Sequence, residues 1–281
     1  MGFDIVSFAM GQAAGGGGGG GVPLLSRAEW NALSDAQKQA YGLVAVQDAN
    51  SGFDRGELYN GADFNPIGRY IPNSDPTKII CEAFVDNFST AESWGDGTNP
   101  ITMQSGLNPE KNAEENAVYL GISNTGKFAY VDLGEQAQSY TVYIVAKLVL
   151  PGGFTRVLSS MESGQGGRGI LLYGSSINVS SFGDDTDTGV SASSYFAAAM
   201  QYDGSQVTKG HGMVGSSGTY IGKNPSTSGR YITLGRTDID PSGSYEEPAN
   251  MYLRYLAVTT HYESETTIRA NLANLESVFI S

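Results

Sequence analysis

From Lys78 to the end of the chain, short apolar runs alternate with glycine-rich turns, and few architectures satisfy that spacing. Strand candidates are 79–84, 117–120, 128–132, 140–149, 155–162, 169–173, 176–181, 195–201, 231–233 and 251–261. Many short strands separated by turns predict a β-sandwich of jelly-roll type. In the longest run, Val142, Ile144, Ala146 and Leu148 alternate with Thr141, Tyr143, Val145 and Lys147, and the first set is the expected core face. Ala197, Ala198 and Ala199 suit a close-packed central strand. After the last strand, Ile268, Leu272, Leu275 and Phe279 recur at helical spacing, so a helix from about Ser264 closes the sandwich.

Upstream, seven consecutive glycines, Gly15 to Gly21, separate an apolar head, MGFDIVSFAMG, from the body. Glycine runs have nothing to pack and the highest ordering entropy, so they behave as tethers. Phe3, Ile5, Val6, Phe8 and Met10 are too apolar for a solvated tail and read as a docking peptide. Between tether and sandwich, Ser26-Arg27-Ala28-Glu29 is a capping box for a short helix carrying Trp30, and Ser34 can cap a second. A strand at 43–47, two tight turns and an extended stretch around Pro66, Pro72 and Pro76 follow. The expected organisation is a docking peptide and tether at 1–21, an adaptor at 22–77 and a jelly roll at 78–281.

The net charge of −13 argues against binding nucleic acid through its phosphates. Cys81 is the single cysteine, which excludes an internal disulfide and a Cys-rich zinc site; a buried, apolar role is expected for it. The head lacks a basic region before its short apolar run, so no secretion signal is expected, and no run is long enough to span a bilayer. Folding in a reducing cytoplasm is the expectation.

Catalysis, metal binding and saccharide binding each need a particular set of residues. Catalysis on a polysaccharide needs two carboxylates facing one cleft. No Glu-x-Asp-x-Glu pattern occurs; Glu246-Glu247 and the Asp132/Glu135 pair read as turns, and His211 reads as part of a flexible loop. No enzymatic activity is therefore expected. For metal, Asp184, Asp185 and Asp187 crowd one predicted loop, and calcium is the ion such oxygen donors would take. Asp238 and Asp240 form a second such group, and solvated acidic turns are the competing reading for both; otherwise no cofactor is expected. For a saccharide, aromatic platforms are needed. Most sandwich tyrosines, Tyr195 among them, read as half-buried strand residues, whereas Tyr220 and Tyr245 fall on loops and are the candidates for a glycan face. Trp94 is expected in the core.

The runs at 117–120, 140–147, 156–160 and 169–173, with the terminal strand and helix, resemble a concanavalin A-like, laminin-G-like jelly roll. Ser26 to Ser34, Lys38 to Val46 and Gly52-Phe53-Asp54-Arg55-Gly56 resemble segments of tailed-bacteriophage structural proteins, as does the head followed by glycines. The resemblance implies a virion surface protein: a head fibre, capsid decoration or tail-associated fibre, often trimeric. Its partner would be a capsid or tail protein, with a host-surface glycan for the body. A free carbohydrate-binding adhesin is the alternative, with a polysaccharide-degrading enzyme behind it.

Overall fold

The computed structural model describes residues 24–40, 44–47, 56–59, 64–67, 70–88, 92–125, 127–135, 138–160, 170–181, 184–204, 210–225, 229–236 and 248–280. Phe3, Ile5, Val6, Phe8, Met10, Asp238, Asp240, Tyr245, Glu246 and Glu247 lie outside the described residues. The chain divides into two compact units, Met1–Pro72 and Asn73–Ser281.

The first unit carries four short strands, β1 (Leu24–Ser26), β2 (Val44–Gln47), β3 (Gly56–Tyr59) and β4 (Phe64–Ile67), in that order across one sheet. The β1–β2 pair is parallel, which the helices α1 (Arg27–Ala32) and α2 (Asp35–Ala40) between them make possible. Both starts follow from sequence. Ser26 and Glu29 close a reciprocal capping box, and Ser34 and Gln37 repeat it with a side-chain amide. Trp30, Val44 and Val46 form a small core.

The second unit is an all-β sandwich of jelly-roll type closed by one long helix. One sheet runs β18 (Ile221–Lys223), β17 (Gly210–Val214), β16 (Phe196–Tyr202), β11 (Tyr140–Val149), β20 (Asn250–Thr259), β9 (Ala117–Leu120), β8 (Glu110–Asn112), with β5 (Ile79–Phe84) also paired to β20. The other runs β15 (Asp184–Ser191), β14 (Ser176–Ser181), β13 (Leu171–Tyr173), β12 (Arg156–Ser159), β19 (Tyr231–Leu234), β10 (Ala129–Asp132), β7 (Ile101–Met103), β6 (Ser93–Trp94). A helical turn, α3 (Ile122–Thr125), follows β9.

The core lies between the sheets and contains Val142, Ile144, Ala146 and Leu148, as the alternation requires. The opposite face of β11 is not solvated. Thr141, Tyr143 and Val145 are fully buried, because helix α4 (Glu265–Phe279) lies over β11 and β16. Ser264 caps α4 by accepting from the Thr267 N–H, and Ile268, Leu272 and Leu275 are buried. Trp94 is buried, its indole N–H shared between the Phe84 carbonyl and Asn87 Oδ1. Cys81 is a fully buried free thiol, its ionisation pushed far up by burial. Among the described residues no helix is long and apolar enough to cross a membrane.

Two predicted loops are strands. Residues 184–191 form β15, which sits at a sheet edge where an acidic sequence remains solvated. Residues 210–214 form β17, whose glycines answer to tertiary packing: a Cβ on Gly212 would stand 2.5 Å from Val179 Cγ1 of the facing sheet.

Candidate functional site

A groove of about 730 Å³ opens where the edge strand β15 meets the start of β16 and the loop joining β17 to β18. That size is ordinary for a small-ligand site. Val190, Phe196, Val214 and Ile221 supply apolar lining. Hydroxyls come from Thr186, Thr188, Ser217 and Thr219, a carboxylate from Glu276, and the aromatic residues are Tyr195 and Phe196.

The loop wall is pinned from behind by α4. Glu276 accepts from the Ser216 N–H at 3.0 Å and from its hydroxyl at 2.5 Å. Arg269 donates to the carbonyls of Ser216 and Gly218, each at 2.9 Å, and is held by Glu265. The opposite wall is fixed by Lys223, which lies 3.0 Å from Asp184 and donates to Thr186 Oγ1 at 2.9 Å. The loop backbone at Ser216 and Gly218 and the side chains of Thr186 and Glu276 are thus fixed by the fold, and fixing such groups in advance lowers the entropic cost of binding.

Tyr195 is held by two cations. The Arg254 guanidinium sits 3.5 Å from its ring centroid, Lys147 Nζ lies 5.1 Å away, and its hydroxyl donates to the Glu115 carbonyl. Arg254 also donates to the carbonyls of Glu115 and Phe279, and Lys147 pairs with the Glu115 carboxylate at 2.5 Å. Arg254 is aimed there by a β-bulge. Val145 pairs with Tyr255 and Ala146 with Leu253, so Arg254 is the extra residue in the ladder. Burial raises the Tyr195 phenol well above its usual range, so the ring stays neutral at physiological pH.

Tyr220 stands apart from this groove. Its neighbours Thr219 and Ile221 line the groove, while its own ring stacks on His211, centroids 4.2 Å apart and planes within 9°. Its hydroxyl is bonded by Gln201 and lies 3.4 Å from that of Tyr262, which is 2.7 Å from His211 Nδ1. His211, expected in a loop, is thus a strand residue in an aromatic cluster.

The expected calcium loop is corrected as well. On a strand, successive side chains face opposite ways. Asp184 and Thr186 both meet Lys223, so Asp185 and Asp187 belong to the other face. Asp187 accepts from the Ser176 hydroxyl and from the Gly189 N–H, which hold its carboxyl below the usual range. No group of three metal-ligating side chains able to hold an ion occurs among the described residues. Asp132 is taken up by a two-point pairing with Arg230, Nε to Oδ1 at 2.7 Å and Nη2 to Oδ2 at 2.6 Å.

Neither a protein-family model nor a curated protein matches the sequence. Solved structures do match. Trypanosoma rangeli sialidase aligns with 85% of this chain and 45% of its own, at 10% identity and a TM-score of 0.53. The same sialidase in complex with sialic acid aligns with 74% of this chain and 34% of its own, at 12% identity and 0.51. Domain 4 of a GH43 extracellular arabinanase from Geobacillus stearothermophilus, in complex with arabinotriose, aligns over 69% of this chain and 98% of its own, at 13% identity and 0.48. This chain spans between 34% and 45% of the length of those sialidase chains. At such identity the likeness shows a shared β-sandwich fold and nothing finer. It corrects one expectation: this fold forms part of an enzyme's chain, so the exclusion of enzymatic activity drawn from missing carboxylate motifs does not stand.

Proposed function

We propose that this chain is a carbohydrate-binding adhesion protein that seats a saccharide in the groove, against Tyr195. The observation that carries the reading is the groove's composition and order. A sugar presents an apolar C–H face and a rim of hydroxyls, and its binding sites pair an aromatic ring with convergent hydrogen-bonding groups. Here Tyr195 is packed against Arg254, while Thr186, Ser217, Thr219 and Glu276 surround an apolar lining. The sialidase structure with bound sialic acid, whose chain shares the fold, is consistent with glycan recognition. The test is a broad glycan array probed with the full chain. Saturable binding to a subset of glycans is expected; no signal on any glycan overturns the reading.

The adhesion protein is read further as one displayed on a tailed-phage virion. The support is the order of the sequence: an apolar head holding Phe3, Ile5, Val6, Phe8 and Met10, seven glycines, an adaptor and a large body. Several copies on one particle, in a trimer or otherwise, raise avidity without tight single-site affinity. The head would dock on a capsid or tail protein.

A further inference from the structure

We infer that the ligand of the groove is an extended oligosaccharide, bound along a track of tyrosines that leads from Tyr195 across the outer face of the sheet; this rests on the groove being the glycan site. The track lies in the strand register. Tyr119 of β9 pairs with Tyr252 of β20, and Tyr252 pairs with Lys147 of β11. Ala146 pairs with Phe196 of β16, which sets Tyr195 beside Lys147. Residues directly opposite one another in antiparallel strands share a face. Ala146 and Leu148 belong to the core between the sheets, so Lys147 and the three tyrosines stand on the outer face. At about 4.8 Å per strand the row from Tyr119 to Tyr195 spans about 14 Å, more than one sugar ring can cover.

Contacts along the row are continuous. The rings of Tyr119 and Tyr252 lie 5.3 Å apart, and Lys147 Nζ is 5.1 Å from the rings of Tyr252 and Tyr195 alike. Lys147 spends one donor on Glu115, which also balances its charge, and an ammonium carries three. The row is open to solvent where the rest of this face is not. Thr141, Tyr143 and Val145 are fully buried under α4, which ends at Phe279 against Tyr255 and Arg254. Past that end, Tyr119, Lys147, Tyr195 and Tyr252 are each half-buried. Tyr195 belongs to both surfaces, since it lines the groove and ends the row. A chain leaving the groove over Tyr195 therefore meets Lys147 and then two further phenol rings. Sugar units offer what such a row receives, C–H faces for the rings and hydroxyls for the ammonium and phenols.

The test places the full chain on an array of linear chito-, malto-, cello- and manno-oligosaccharides, each from disaccharide to hexasaccharide, beside a broad set of branched glycans. In a series that binds, the hexasaccharide is expected at least about fivefold tighter than the disaccharide, two further ring contacts supplying about two- to tenfold each. Tyr119→Ala and Tyr252→Ala, made separately, should each flatten that rise and leave disaccharide binding unchanged. Tyr252→Phe, which keeps the ring, should retain it. The length series of the unaltered protein needs no variant and stands by itself. Affinity that does not change with length overturns the track and leaves the groove as the glycan site, and so does binding confined to branched glycans. A rise with length that survives both alanine substitutions overturns the assignment to these tyrosines. Silence of every glycan overturns the track and the glycan reading together.

Discussion

At the scale of single residues, the buried acid Glu263 is the most exposed to a change of conditions. It is nearly inaccessible, accepts from the Tyr143 hydroxyl, and its N–H donates to Gln201 Oε1 at 3.0 Å. Tyr143 in turn accepts from Asn271 of α4 at 3.1 Å, so the acid belongs to the seam between sheet and helix. Burial raises its pKa and outweighs the donors that lower it. Above the ordinary glutamate pKa of about 4.3 and below the raised value, the folded state holds a proton that the unfolded state releases. Stability from this group therefore falls as pH rises through that window. Glu263→Gln has no such titration. Thermal unfolding of both proteins between about pH 5 and pH 8 should show the unaltered protein gaining on the variant as pH falls. Parallel curves would contradict the assignment. Tyr195 was legible only as a half-buried strand tyrosine, because what marks it lies far away in the chain: Arg254, Glu115 and the loop at 215–221 are brought to it by the fold.

At the scale of elements, β5, β9, β11 and β14 have the boundaries that the short runs between turns predict. β15 and β17 were illegible for opposite reasons. β15 is polar because it is an edge; β17 is rich in glycine because the sheets approach closely there. The bulge in β20 does leave a trace in sequence. Met251 and Leu253 face the core, and so do Leu256 and Val258, so the alternation slips by one at Arg254 and Tyr255. The close approach at β17 is testable. Gly212→Ala would press its Cβ onto both methyls of Val179, at 2.5 and 2.7 Å, and should cost about 1–3 kcal/mol. Gly222→Ala on the neighbouring strand meets only His211, at 3.5 Å and beyond, and should stay within about 0.5 kcal/mol of the parent. Denaturant unfolding of the two variants checks the contrast; equal losses would mean that the close packing is not what selects glycine at 212.

At the scale of the whole molecule, one long helix converts a two-layer sandwich into a three-layer body. It buries the second face of β11 and pins the groove's loop wall through Arg269 and Glu276. The sequence makes the helix evident from its spacing, while its contribution to the groove depends on contacts between positions 51 to 60 residues apart. The proposed division of labour places attachment in residues 1–21 and adhesion in the sandwich. Removing residues 1–21 should leave a folded protein that no longer co-purifies with virions; recovery of the shortened protein on particles would overturn the anchoring role. Absence of the intact protein from particles would favour a free adhesin.

The central claim is that a saccharide sits on Tyr195. Its most direct test is calorimetric titration of the unaltered protein and Tyr195→Ala with the glycan giving the strongest array signal. The account predicts a loss of about two- to tenfold in affinity, since one stacked ring contributes about 0.5–1.5 kcal/mol, with unfolding behaviour otherwise preserved. Equal affinity in the two proteins would contradict it and move the site away from the groove, the exposed ring of Phe154 stacked on Tyr173 being the next surface to probe.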